Sequence, residues 1–115
     1  MSQNKNSTEI KFVPAQAAPV AALVDYQSGS IVSREIVKGA TGRVTLFAFD
    51  EKEGLSEHTS PFNALVQIIE GEAEITIASQ PHHVKAGELI LMPAQQPHAL
   101  KALKRFKMVL TMIRS

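Results

Sequence analysis

The stretch Ile69-Glu70-Gly71-Glu72-Ala73-Glu74-Ile75-Thr76-Ile77 alternates apolar and polar residues after a single glycine. Successive side chains of a strand point to opposite sides. Ala73, Ile75 and Ile77 therefore share one face, and Glu72, Glu74 and Thr76 the other. This is the signature of a half-buried strand with a turn at Gly71. A second stretch, Gly87-Glu88-Leu89-Ile90-Leu91-Met92-Pro93-Ala94-Gln95-Gln96-Pro97-His98, sets a short apolar run between a glycine and two prolines. Working outward, turn signals recur at Ser28-Gly29-Ser30, Gly39-Ala40-Thr41-Gly42, Gln80-Pro81 and Lys85-Ala86-Gly87. Their spacing of roughly ten residues predicts an all-β sandwich or barrel. No segment sustains the helical period with caps.

Other runs alternate in the same way. Val44, Leu46 and Ala48 oppose Thr45, Phe47 and Phe49. Met108, Leu110 and Met112 oppose Lys107, Val109, Thr111 and Ile113. The last run, and residues 65–69, are apolar on much of both faces. Such strands need cover on both sides. In so small a domain a second subunit is the expected cover, and a homodimer follows.

With 115 residues, 44% of them hydrophobic and 20% charged, the chain suits one soluble domain. Residues 1–9 read as a polar tail and 10–115 as a single barrel domain. Cysteine is absent, which excludes disulfides, thiolate catalysis and cysteine-held metals. A net charge of +1 offers no basic field for nucleic acid. The apolar run at residues 17–24 contains Pro19 and is only 8 residues long, too short to span a membrane. No secretory leader is visible at the start, so the cytoplasm is the expected location. Residues 50–74 hold seven acids and one base, whereas only bases follow Glu88. That asymmetry reads as solvated loops and a lysine-guarded edge, or as a bipolar surface for subunit pairing or an anionic ligand.

Four histidines are present: His58, His82, His83 and His98. His58 stands thirteen residues before Gly71, and Gly87, Pro93 and His98 follow at spacings of six and five. In these spacings, and in its Glu70-Gly71-Glu72 turn, the chain resembles the cupin superfamily over residues 45–111. The resemblance implies a jelly-roll, or double-stranded β-helix, barrel whose motif histidines converge inside it. It also implies a hairpin at Gly71 and common pairing as dimers. The family's second histidine position is Ser60 here, its Glu or Gln position is Ala64, and a usual glycine is Gln95. Two of four metal ligands, His58 and His98, remain.

Two imidazoles without a carboxylate fall short of a three-ligand catalytic site or the non-haem iron triad. The residues specify no cofactor beyond a weakly held divalent metal ion at His58 and His98. Ser60 beside His58 suggests a nucleophile and base, but no orienting acid accompanies them. His82-His83 reads as a surface turn. Met92, Met108 and Met112 suit a soft Cu(I) site with the histidines, although methionine on a strand is ordinarily core filler. The expected ligand pocket is lined by His58, Ser60, Ala64, Val66, Met92, His98 and Leu100, with Met108 or Met112 behind. Three functions fit: a small-molecule binding or sensing domain with a degenerate metal site; a metal-dependent isomerase, lyase or dioxygenase of cupin type, if Gln67 or Gln95 reaches the site; or a partner-binding module with a vestigial pocket.

Overall fold

The computed structural model describes residues 9–114. Most of the expected polar tail, residues 1–8, lies outside the described residues, as does Ser115. Among the described residues one turn of 3-10 helix, Val20–Leu23, precedes nine strands. They are β1 (Ile31–Gly39), β2 (Gly42–Phe49), β3 (Gly54–His58), β4 (Asn63–Glu70), β5 (Glu72–Ile77), β6 (Gln80–Lys85), β7 (Leu89–Met92), β8 (His98–Ala102) and β9 (Phe106–Ile113). A five-stranded sheet runs β1-β2-β9-β4-β7 and a four-stranded sheet β3-β8-β5-β6. Every pairing is antiparallel. The all-β jelly-roll expected from the sequence is therefore present. Among the described residues no helix is long and apolar enough to cross a membrane.

The core lies between the sheets. Ala73, Ile75 and Ile77 of β5 face Ala64, Val66 and Ile68 of β4, and Phe49 stacks on Phe106 with ring centroids 4.4 Å apart. Period-two alternation placed the inward β5 residues correctly.

Gly71 departs from the expected hairpin. β4 and β5 belong to different sheets, so Gly71 is the corner at which the chain crosses between them. Its φ is +79°, and a Cβ there would strike the backbone carbonyl of Arg105. Only glycine tolerates that conformation and that approach together. The Gln80-Pro81 signal is likewise displaced. The two-residue turn of the β5–β6 hairpin is Ala78-Ser79, both at positive φ, and Pro81 sits on the edge strand β6.

The strands with two apolar faces find part of their cover within the chain. Leu23 and Val24 pack on Leu46 and Ala48, with Val32, Ile36 and Val109 around them. This N-terminal arm is pinned by Lys107, whose Nζ donates to the Ala21 carbonyl at 2.7 Å and lies 4.9 Å from the Tyr26 ring centre. Tyr26 donates its hydroxyl to Glu70 at 2.6 Å. Burial, then that bond to a carboxylate, raises the Tyr26 pKa well above the usual phenol value. The outer faces beyond the arm stay open. Val37, Val44, Thr111, Leu65 and Leu91 stand side by side in register across the five-stranded sheet. Val37, Leu91 and nearby Ile113 are half or more exposed.

The charge asymmetry is partly resolved inside the chain: Glu72 pairs with Lys104 at 3.8 Å, and Glu70 with Lys107 at 3.9 Å. Two variants test this account. Gly71→Ala adds both clash and left-handed strain and should lower unfolding stability by at least about 2 kcal/mol in urea titrations. Lys107→Met keeps the aliphatic stem but removes a charged hydrogen bond, and should cost about 1.5–3 kcal/mol while speeding proteolysis of the arm.

Candidate functional site

β3 and β8 bring the histidines together. Leu55 pairs with Leu100 and His58 with His98, with a bulge between the two pairs. In regular alternation residues 55 and 58 would point to opposite faces. The extra residue in the bulge turns both inward. On the opposite sheet, Ala64 lies in register between Met92 and Met112. Together these elements enclose a cavity of about 150 Å³ lined by Leu55, His58, Ser60, Ala64, Met92, His98, Leu100, Met108, Leu110 and Met112.

Six of the seven expected pocket residues thus line one cavity. Val66 does not; it faces inward one step below Ala64 and is fully buried core. Leu55 and Leu110 were missed: the bulge hid the first, and Leu110 was legible only as the inward residue between Met108 and Met112. Gln67 lies exposed on the outer face of β4. Gln95 stays in the β7–β8 loop at a φ of +67°, where its N–H donates to the Ser60 carbonyl at 2.8 Å. Neither glutamine lines the cavity. Ser60 accepts the Phe62 N–H on its Oγ, an arrangement that braces the loop. His82 and His83 sit on β6 rather than in a turn, and His83 contacts Glu72 at 3.1 Å.

The two rings meet edge to face, their planes at 72° and their Nε2 atoms 3.1 Å apart. His58 Nδ1 lies 2.7 Å from the Ser56 carbonyl, and His98 Nδ1 lies 3.2 Å from the Gln96 carbonyl. A carbonyl only accepts, so each Nδ1 carries its hydrogen. In neutral rings both Nε2 atoms then present lone pairs to each other. A cation between them, a proton or a metal ion, removes that repulsion.

Burial, then the neighbouring His58, holds the His98 pKa below the ordinary histidine value, against the bond to Gln96. The folded chain thus binds fewer protons at His98 than the unfolded chain. Its contribution to stability is complete above about pH 6.5 and is lost as pH falls through the lowered value. Imidazole NMR should show His98 titrating below the free-histidine midpoint. His58→Ala should raise that midpoint only part of the way, because burial remains. An unchanged midpoint would remove His58 as a cause.

Residues 45–114 match the family described as Cupin domain. The chain belongs to the cupin family. It is similar, at 32% identity and a TM-score of 0.87, to a conserved protein of unknown function from Streptococcus pyogenes, with 97% of this chain and 98% of that one covered. A cupin 2 conserved barrel domain protein from Leptotrichia buccalis is 36% identical with a TM-score of 0.79, over 82% of this chain but 46% of that one. A cupin superfamily protein from Desulfitobacterium hafniense shares the fold at 24% identity and a TM-score of 0.83, over 94% and 96% of the two chains. No curated protein matches.

The family resemblance implies three imidazoles and a Glu or Gln around a metal. That set does not fit here. Ala64 presents a methyl group to the cavity, Ser60 offers only a hydroxyl that already accepts the Phe62 N–H, and among the described residues no three of His, Cys, Asp and Glu gather.

Proposed function

We propose that the chain is a small-molecule binding or sensing cupin whose ligand occupies the barrel above His58 and His98 and requires no divalent metal. The observation that carries this reading is the cavity of about 150 Å³, apolar except for the two imidazoles and one serine. A cavity of that size suits a compact organic molecule about as large as a substituted benzene. The imidazoles would meet one polar group of such a molecule, a carbonyl or an acid, and the leucines and methionines would cover the rest. Absence of a carboxylate favours binding over the metal-dependent isomerase, lyase or dioxygenase chemistry of other cupins, and leaves any divalent ion at His58 and His98 weakly held.

Metal-free protein titrated with benzaldehyde and benzoate should shift the methyl resonances of Met92 and Met112. Ala64→Phe, which fills the cavity, should abolish the shift. Shifts that persist in Ala64→Phe would place binding elsewhere. One tightly bound zinc, iron or manganese per chain in protein purified without chelators would instead favour the enzyme.

The proposal includes a homodimer. The row Val37, Val44, Thr111, Leu65 and Leu91 is the apolar surface that the N-terminal arm leaves open, and a second copy would cover it. Such an interface would bury about 1,200 Å² or more in total. Sedimentation at micromolar concentration should give a dimer, and Leu91→Lys a folded monomer.

A further inference from the structure

The cavity lining that would meet an organic molecule also holds two imidazoles and thioethers, a set of neutral donors for a metal ion. We infer that His58 and His98, with the thioethers of Met92 and Met112, form a site for a soft monovalent cation, Cu(I), in place of a divalent one.

Orientation is the first argument. Both rings are held through Nδ1 to backbone carbonyls, so both Nε2 lone pairs are left free, on atoms 3.1 Å apart. A backbone or carboxylate partner on the far ring nitrogen is how metal-binding histidines are fixed in tautomer and direction. Distance is the second. With metal–nitrogen bonds of about 2.05 Å, an Nε2 separation of 3.1 Å corresponds to an N–metal–N angle of about 100°. That is close to tetrahedral and far from the linear two-coordinate arrangement, so the geometry calls for two more donors.

The available donors decide the ion. Met92 and Met112 flank Ala64 in register and line the same cavity as the two rings. The small alanine leaves the space between them open. Imidazole and thioether are neutral, and thioether is soft, a combination that selects Cu(I) over zinc, iron or manganese. Charge points the same way. No carboxylate lines the cavity to offset a double charge. The cost of placing an ion among apolar walls rises with the square of its charge, so a single charge is far cheaper to hold there.

The two occupants share one cavity, but their tests are separate: the benzaldehyde and benzoate titrations use metal-free protein, and the copper titration uses no organic ligand. The full chain is titrated anaerobically with Cu(I) against a chromophoric Cu(I) chelator, and with zinc against a zinc chelator. One Cu(I) per chain should be retained, at least a hundredfold more tightly than zinc. Met92→Leu and Met112→Leu preserve volume and should each weaken Cu(I) binding tenfold or more, with unchanged circular dichroism. X-ray absorption should show sulfur and nitrogen neighbours. His58→Ala with His98→Ala should abolish retention. Met1 is common to all these proteins, so it cancels from the comparison. No Cu(I) retained, zinc held as tightly as Cu(I), or methionine variants binding Cu(I) like the parent would each overturn the assignment. The methionine variants and the sulfur signal decide the matter even if the double histidine variant fails to fold.

Discussion

Between Glu70 and Glu72 the chain leaves one sheet and enters the other through a single residue with a left-handed φ. The Arg105 carbonyl fills the space where a side chain would stand. This contact packs the start of β9 against the corner, beside the register in which β9 pairs with β4. Once that register holds, the inward residues of β4 oppose those of β5, and Phe106 reaches Phe49. The same register places Ala64 between Met92 and Met112, one row above Val66 in the closed core. The pocket is thus the place where the packing of the two sheets runs out of large side chains.

The outer surface obeys a different constraint. A five-stranded sheet with apolar residues on both faces has to be covered twice. The N-terminal arm covers the half around Leu46, Ala48 and Val109. It is held there by an ammonium group that caps the Ala21 carbonyl beside the Tyr26 ring and the Glu70 carboxylate. Polar anchoring sets where the arm lies, while Leu23 and Val24 supply the buried area. The strip that the arm does not reach is the part of the sheet to which the dimer proposal applies.

Inside the barrel, Ser60 and Ala64 at positions where the resemblance implies metal ligands set the chemistry of the site. An alanine methyl opens space, and Ser60 is committed to its loop. What remains is a mostly apolar chamber with two neighbouring nitrogen bases. Such a chamber penalises charge in general, and double charge most. On dielectric grounds a neutral molecule costs least to place there, a single charge more and a double charge most.

The alternation of β2, β5 and β9 and the inward face of β5 were legible as properties of a local chain with one buried side, and the motif spacing pointed to six of the seven expected cavity residues. The sequence alone also determined that the carboxylate ligand is missing, since Ala64 cannot supply it. Features that depend on distant backbone were settled only by the tertiary structure. Gly71 reads as a hairpin until the Arg105 carbonyl is seen to occupy the space beside it. Leu55 reads as facing away from His58 until the pairing with β8 introduces a bulge. Val66 reads as pocket until the packing shows it buried beneath Ala64. The arm's role as cover depends on a lysine 86 positions away from the carbonyl it caps. That both Nε2 atoms are free was settled in the same way, by the carbonyls of Ser56 and Gln96 beside the two Nδ1 atoms.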